Sequence, residues 1–106
     1  MGHAGDVIIV SGTLRVDPAD VGTAMSLGAT MAEASLAEEG CSAYGFWQDP
    51  ADPSRARVFE EWASQEALDL HFATPHMADF MAGIGQLKIS DMDLSKYAVS
   101  EKGPLF

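Results

Sequence analysis

The sequence Val58-Phe59-Glu60-Glu61-Trp62 is followed without a break by Ala63-Ser64-Gln65-Glu66-Ala67-Leu68-Asp69-Leu70-His71, and this junction decides the fold. The first segment combines β-branched and aromatic residues with charged ones, which is typical of a β-strand. The Ser64 hydroxyl can accept a hydrogen bond from the first free N–H groups of a helix, so a strand is predicted to lead directly into a helix. Trp62 at the end of the strand and His71 two turns into the helix are therefore expected near the same edge of a sheet.

The composition indicates one globular domain that spans residues 1–106. Hydrophobic residues make up 47% of the chain and charged residues 21%, a balance that allows a packed core. Residues 1–5 and 100–106 flank the predicted elements and are expected to be flexible or arm-like. Sixteen acidic residues against six basic ones give a formal charge of −10, which would repel a phosphate backbone. The prediction is no nucleic-acid partner, and the scattered basic residues favour a neutral or weakly acidic ligand.

The sequence also predicts a cytoplasmic protein. Cys41 is the single cysteine, so no disulfide can form within the chain, and a reducing compartment is the simplest interpretation. The longest aliphatic run, Val7–Val10, is far too short to span a bilayer, and no basic segment precedes an apolar core at the N-terminus. Neither membrane insertion nor export is expected.

The first half of the chain is predicted to form a strand, a helix and a second strand. β-branched residues are dense in Val7–Val10, and Asp17 followed by Pro18 is a typical helix start. Gly12 inside the first strand indicates a bulge or a close approach of another group to the backbone. Gly40 is expected to end the helix in the left-handed conformation. The predicted elements are a strand over Asp6–Val16, a helix over Pro18–Glu39 and a strand over Cys41–Asp49.

The second half is predicted to return in an antiparallel hairpin and to end in a fourth strand. Two prolines and two aspartates in Asp49–Ser54 favour an exposed turn. Thr74-Pro75 repeats the helix-start signal, and the apolar phase of the last strand changes near Ser90-Asp91, which indicates a bulge. The predicted elements are a strand over Arg57–Trp62, a helix from Gln65 to Ala73, a short helix from Pro75 to Gly83 or Gly85, and a strand from Gln86 to Val99.

This β-α-β-β-α-β order predicts an α+β fold of the ferredoxin-like type, in which two helices cover one face of a four-stranded antiparallel sheet. The other face stays open and needs cover, so a homodimer joined face to face is expected. Strand alternation places Ser42, Tyr44, Phe46 and Gln48 on one face of the second strand, and Cys41, Ala43, Gly45 and Trp47 on the other.

Four segments of the chain form a pattern shared with a known family. They are Glu38-Glu39-Gly40-Cys41, Phe59–Leu68, His71 and Thr74-Pro75-His76. Together they resemble the antibiotic biosynthesis monooxygenase domain family, dimeric α+β barrel proteins that include cofactor-free quinol and anthrone oxygenases. The resemblance implies a ligand held between the sheet and the helices, against Trp62 and near His71. It also implies that a phenolic substrate is deprotonated and then gives an electron to dioxygen, without a metal or a flavin.

The chain departs from some members of this family. Its anthrone oxygenases use an asparagine, whereas this chain contains none, so Gln48 or Gln86 would have to replace it. Heme-degrading relatives carry a tryptophan at the position of His71 and a ligating histidine at that of Met81, so the resemblance does not extend to heme degradation. Isomerase relatives use a histidine and a lysine early in the chain, and this sequence has neither between His3 and His71.

The residues and the resemblance together indicate a site. An imidazole has an ordinary pKa of about 6.5, so His71 is the candidate catalytic base, with a purely structural helix histidine as the alternative. His76 is expected at the surface or in a cap. Its spacing of five from His71 matches no metal-ligand pattern, so no metal is predicted, and the resemblance implies no other cofactor. The predicted substrate-binding residues are Trp62, Tyr44, Phe46, Glu60, Phe72 and Phe80. The alternatives are a core role for Trp62, a structural hydrogen bond for Glu60, and a dimer contact for the face that carries Tyr44 and Phe46.

The function predicted from the sequence is a cofactor-independent monooxygenase that acts as a homodimer on a small aromatic quinol or polyketide-like ring. The alternatives are a non-catalytic dimeric protein that binds a small molecule, and an isomerase of a small carbonyl compound. The enzymatic prediction depends on one geometric expectation, a shared and mostly dry hollow bordered by Trp62 and His71.

Overall fold

The computed structural model describes residues 6–106, and the predicted flexible segment over residues 1–5 lies outside the described residues. The elements are β1 (Val7–Val16), α1 (Val21–Leu36), β2 (Cys41–Asp49), β3 (Asp52–Trp62), α2 (Gln65–Phe72), α3 (Pro75–Ile84) and β4 (Ile89–Val99). The strands form one antiparallel sheet in the order β2-β3-β1-β4, and the helices lie on one face of it. The predicted ferredoxin-like α+β fold is confirmed.

Side-chain caps form where the sequence predicted helix starts, before the 3₁₀ turn that leads into α1 and before α2 and α3. Side-chain oxygens of Asp17, Ser64 and Thr74 each accept a hydrogen bond from a backbone N–H two or three residues later, at 2.9, 3.1 and 3.2 Å. Each bond satisfies a donor that the first helical turn leaves free, a contribution of about 1 kcal/mol. The strand-to-helix junction at Ser64 therefore has the local structure that its sequence indicates.

The first helix is shorter than the predicted helix over Pro18–Glu39. The first three residues of that range form a separate 3₁₀ turn, and α1 follows it. At the other end, the N–H of Glu38 donates to the carbonyl of Ser35 at 3.0 Å, and the N–H of Cys41 donates to the carbonyl of Glu38 at 3.2 Å. These bonds span three residues, which tightens the chain and ends the α-helix early. Gly40 then has a φ of 96°, the left-handed conformation that was predicted for it.

The hairpin between β2 and β3 is tighter than predicted. Strand β3 begins at Asp52, five residues before the predicted start, and Asp49 pairs directly with Asp52. The expected exposed turn therefore shrinks to two residues, and the Gln48 amide donates to the carbonyl of Pro53 at 3.0 Å. Pro53 has no N–H to donate, and it is accommodated here because pairing with β1 begins only at Arg55.

A bulge at the start of β2 changes the face on which Cys41 lies. Cys41 pairs with Trp62, whereas Ala43, two residues later, pairs with Glu61. The extra residue turns Cys41 toward the helices, where it packs against the core. The prediction that Cys41 shares the opposite face with Ala43 and Trp47 is therefore wrong for Cys41. Trp47 lies on the open face and is 54% exposed.

Strand β4 lies unusually close to β1 at Gly12. The pairing of β1 with β4 shifts register near the predicted break, and Asp91 there has a φ of 50°. A Cβ added to Gly12 would lie 2.0 Å from the carbonyl oxygen of Asp93. The missing side chain therefore allows the close approach, one of the two roles predicted for this glycine. β4 itself begins at Ile89, three residues later than predicted.

The core lies between the sheet and the helices. A cluster of buried side chains from β1, α1, β2, β3 and α2 forms its centre, so both layers contribute to it. These residues are Ile8, Met31, Tyr44, Trp62 and Leu68. Residues 100–106 extend past β4 without regular secondary structure, and the Lys102 ammonium contacts the Glu61 carboxylate at 2.7 Å. Within residues 6–106, no helix combines the length and the apolar composition needed to cross a bilayer.

Replacing Gly12 by alanine is expected to destabilise the fold, because the new methyl group would collide with two backbone atoms of β4, at 2.0 and 2.7 Å. Overpacking of this kind costs about 1–3 kcal/mol. Gly22→Ala is the matched control, since nothing lies within 4 Å of a Cβ added there and alanine favours a helix by up to about 1 kcal/mol. Urea denaturation measures both differences. Unchanged stability in Gly12→Ala would contradict the close packing of β4 on β1.

Candidate functional site

A cavity of about 390 Å³ lies between the sheet and the helices. All four strands and all three α-helices contribute mostly apolar side chains to its wall. This size and composition are typical of small-molecule sites. Five of the side chains that the sequence predicted to bind substrate line this cavity, namely Tyr44, Phe46, Glu60, Phe72 and Phe80.

Aromatic rings form one side of the cavity. Tyr44 and Phe46 meet edge to face, with ring centroids 5.8 Å apart, and Phe46 lies 5.6 Å from Phe80. Gly28 of α1 makes this arrangement possible, since a Cβ at that position would lie 2.8 Å from the Phe46 ring. The small residues of α1 therefore allow the helix to approach β2 and leave the rings in place.

Glu60 carries the only carboxyl group among the described residues that line the cavity. Glu60 is 8% exposed, and it pairs across the sheet with Val10 of β1 and Tyr44 of β2. The Trp62 indole Nε1 donates a hydrogen bond to Oε1 of Glu60 at 2.9 Å. Burial raises the pKa of Glu60 above the usual glutamate value, although the indole hydrogen bond and the charge of His71 act in the opposite direction. Glu60 is therefore a better proton acceptor than an exposed glutamate.

Trp62 and His71 lie behind the cavity wall and not on it. Trp62 is 0% exposed and His71 1%, and their ring centroids are 4.5 Å apart. Neither residue lines the cavity, so this cavity is not the hollow that the sequence predicted both rings to border. The rings of Tyr44 and Phe72, with centroids 5.5 and 5.8 Å from that of His71, occupy the wall instead.

A second carboxylate, which the sequence did not single out for the site, contacts His71 on its other side. Nδ1 of His71 lies 2.6 Å from Oε2 of Glu38, and Nε2 of His76 lies 2.7 Å from the same oxygen. Glu38 follows the end of α1, whereas the two histidines belong to α2 and α3. The chain separations of 33 and 38 residues explain why spacing did not reveal this cluster, although all three residues belong to the quoted family segments.

Burial raises the pKa values of two further groups near the cavity. It raises the pKa of the Cys41 thiol to about 11, so this side chain is poorly suited to act as a nucleophile. Burial and the nearby Glu60 carboxylate also raise the pKa of the Tyr44 hydroxyl above its usual value. Glu60 is thus the better-placed acid–base group on this part of the wall.

Glu60→Gln is expected to gain stability relative to the wild type as the pH rises. Because the pKa of Glu60 is raised in the folded state, its contribution is fully present below the unfolded pKa and is lost as the pH rises through the folded pKa. Glutamine does not titrate, so the variant does not lose stability in this way as the pH rises. The free energy of unfolding, measured by urea denaturation from about pH 4 to about pH 8, should therefore shift in favour of the variant toward higher pH.

Glu61→Gln, on the neighbouring residue and the opposite face of β3, is the matched control and should behave in the opposite way. The Lys102 ammonium lowers the pKa of Glu61, so this carboxylate contributes stability that is present above the unfolded pKa and is lost as the pH falls. Relative to the wild type, Glu61→Gln should therefore become less stable as the pH rises. The same slope for both variants would contradict the opposite environments of the two carboxylates.

Comparison with known proteins gives one consistent result. The sequence profile of the family described as antibiotic biosynthesis monooxygenase matches residues 7–83. The uncharacterised protein sll1783 of Synechocystis sp. is 32% identical over 98 residues, which cover 92% of this chain and 67% of that protein. Rv0793 of Mycobacterium tuberculosis is 37% identical over 51 residues, which cover 48% of this chain and 50% of that protein. Its name describes it provisionally as a monooxygenase.

The solved structures agree with the sequence matches. A crystal structure of a Bacteroides thetaiotaomicron protein of unknown function has a TM-score of 0.82 and 27% identity, and the match covers 90% of this chain and 99% of that chain. The profile match extends from β1 into α3 and so includes the strand-to-helix junction that organises the fold. This chain therefore belongs to the antibiotic biosynthesis monooxygenase family.

Proposed function

We propose that this protein is a cofactor-independent monooxygenase that oxidises a small aromatic quinol or polyketide-like ring bound in the cavity. The observation that carries the proposal is Glu60, a buried carboxyl group in an otherwise mostly apolar wall. Membership of the family and the provisional name of Rv0793 support an oxygenase. A planar ring is the class of ligand that fits best, because aromatic side chains form one side of the cavity.

Glu60 is the proposed proton acceptor. The sequence assigned this role to His71, but the His71 ring is 1% exposed and lies behind the wall, whereas Glu60 lines the cavity. A base whose pKa is raised toward neutrality takes a proton from a weakly acidic phenol more readily than an ordinary carboxylate does. His71 then acts as a positioning residue, because it packs on Trp62 at 4.5 Å and Trp62 in turn donates to Glu60 at 2.9 Å.

The proposed reaction balances without an external reductant. Loss of a proton to Glu60 leaves an electron-rich anion that transfers an electron to dioxygen, and the two radicals then combine to form the new carbon–oxygen bond. For a substrate with a methylene group, the overall change is R₂CH₂ + O₂ → R₂C=O + H₂O. One oxygen atom enters the product and the other leaves as water. The substrate supplies all the electrons, so the side chains have only to bind, orient and deprotonate it.

Oxygen uptake with a panel of hydroquinones and anthrones tests this function. Glu60→Gln is expected to lower kcat/KM by about 10²–10⁴-fold, the usual contribution of a general base, whereas Glu61→Gln should leave it unchanged. In the wild type, kcat/KM should rise as the pH passes through the pKa of Glu60, which lies above that of an ordinary glutamate. In Glu60→Gln this pH-dependent rise should be absent. Oxygen consumption no faster than in buffer, for every substrate, would overturn the proposal.

The second candidate is a binding protein without catalytic activity. The position of His71 behind the wall and the absence of asparagine from the chain favour it. Equilibrium binding separates the two functions, since tight binding of an aromatic ligand without oxygen uptake would support the second candidate. Product formation without oxygen would instead support the isomerase alternative.

A homodimer is the proposed assembly, with the open sheet faces of two copies in contact. Trp47 and Tyr97 lie on this face and are 54% and 55% exposed, and large aromatic side chains of this kind are enriched in protein interfaces. Sedimentation equilibrium should give twice the mass of the chain, and Trp47→Asp should shift the equilibrium toward the monomer. A monomeric wild type at micromolar concentration would contradict this assembly.

A further inference from the structure

We propose that Glu38, His71 and His76 form a binding site for a divalent transition-metal ion such as Zn²⁺ or Co²⁺. The ligand atoms are Oε2 of Glu38, Nδ1 of His71 and Nε2 of His76, and they lie within 4.8 Å of one another. The sequence predicted no metal, because the spacing of the two histidines alone indicated none. The third ligand comes from the end of a different helix, so only the folded chain assembles the set.

The geometry requires a small adjustment to accept an ion. Both imidazole nitrogens are within hydrogen-bond distance of one carboxylate oxygen, at 2.6 and 2.7 Å. Metal–ligand bonds of about 2.0–2.2 Å at tetrahedral angles separate the ligand atoms by about 3.4 Å, so Oε2 would have to retreat by less than about 1 Å. The two imidazole nitrogens lie within 4.8 Å of each other and would have to approach by up to about 1.4 Å. The Glu38 and His76 side chains, which are 15% and 27% exposed, can make these movements, whereas buried His71 stays in place.

The chemistry of the three ligands selects the class of ion. Two neutral imidazoles and one carboxylate suit Zn²⁺, Co²⁺ and similar ions, whereas Mg²⁺ and Ca²⁺ prefer oxygen ligands throughout. Three protein ligands leave room for water to complete the coordination. The site is therefore expected to discriminate strongly against Mg²⁺.

The site is open to solvent on one side and separate from the cavity. His71 is buried, but the His76 side chain is 27% exposed and provides a route for the ion to enter. None of the three ligands lines the cavity. The metal site is therefore a different site from that of the proposed oxygenation, and its existence does not depend on that function.

The buried surroundings of the second ring nitrogen of His71 limit the affinity. In the metal-free protein, Nδ1–H of His71 can donate to Glu38, which leaves a lone pair on Nε2. An ion on Nδ1 would move this hydrogen to Nε2, which is buried and has no hydrogen-bond partner among residues 6–106. A buried N–H without an acceptor is unfavourable, so we expect a dissociation constant in the micromolar range and not the tighter binding of zinc sites whose second ring nitrogen is hydrogen-bonded.

Bound metal should also stabilise the fold. The ligands come from the end of α1 and from α2 and α3, so one ion would connect three helices. A ligand that binds only the folded state shifts the unfolding equilibrium by mass action. The melting temperature is therefore expected to rise with the concentration of Zn²⁺ and to remain constant with equal concentrations of Mg²⁺.

The test uses the full chain after chelator treatment, in a His3→Ala background. This substitution is needed because His3, the third histidine of the sequence, could itself bind metal. Titration with Co²⁺ alone, followed by visible absorption, should show one ion per chain with the bands of a nitrogen- and oxygen-ligated site. Zn²⁺ should displace Co²⁺, and Mg²⁺ should not.

Variants connect the binding to the proposed ligands. Glu38→Gln and His76→Ala should each weaken Co²⁺ binding at least 10-fold, whereas Glu39→Gln, on the exposed neighbouring residue, should bind as the wild type does. Circular dichroism establishes that each variant is folded. Absence of binding up to about 1 mM in the His3→Ala background, or unchanged affinity in both ligand variants, would overturn the site. Neither readout depends on oxygen uptake, so failure of the oxygenase proposal leaves this test intact.

Discussion

The buried hydrogen bond from the Trp62 indole to Glu60 is the interaction on which the rest of the structure depends. Trp62 is 0% exposed and packs among the core side chains that join the sheet to the helices. An indole N–H in such surroundings requires an acceptor, and Glu60, two residues earlier on the same face of β3, supplies it at 2.9 Å. The same bond holds a carboxyl group at the cavity wall, where burial raises its pKa. Packing of the core and placement of the acid–base group therefore have one cause.

His71 stands between two different environments. Its ring packs against Trp62 at a tilt of 40°, with centroids 4.5 Å apart, and its Nδ1 contacts Glu38 at 2.6 Å on the other side. An imidazole held in this way cannot reach a ligand in the cavity without displacing a wall residue. Its contacts suit it to two other roles, as support for the Trp62–Glu60 pair and as a member of the cluster with Glu38 and His76. A positive charge on His71 would lower the pKa of Glu60, and the charge of Glu38 raises it, so the two sides of the ring are also electrostatically connected.

Local patterns in the sequence were sufficient for most of the fold. The features that predicted the element order all depend on residues close together in the chain. They are the caps at Asp17, Ser64 and Thr74, the left-handed Gly40, and the strand alternation of Tyr44 and Phe46. Features set by contacts between distant segments were missed. The early start of β3 and the reversed face of Cys41 depend on pairing and a bulge, and the Glu38 cluster joins residues 33 and 38 positions apart. The positions of Trp62 and His71 behind the wall depend on which rings pack in front of them, and no spacing rule encodes that.

The central claim is that a buried Glu60 carboxyl faces the ligand in the cavity between sheet and helices. The most direct test is a ¹³C nuclear magnetic resonance titration of the Glu60 side-chain carboxyl carbon, with and without an aromatic ligand such as a hydroquinone or an anthrone. The account predicts a pKa above that of the exposed glutamates in the same spectrum, and a clear change in the Glu60 resonance when the ligand binds. A Glu60 carboxyl that titrates like the exposed glutamates, and whose resonance does not respond to any aromatic ligand, would contradict it.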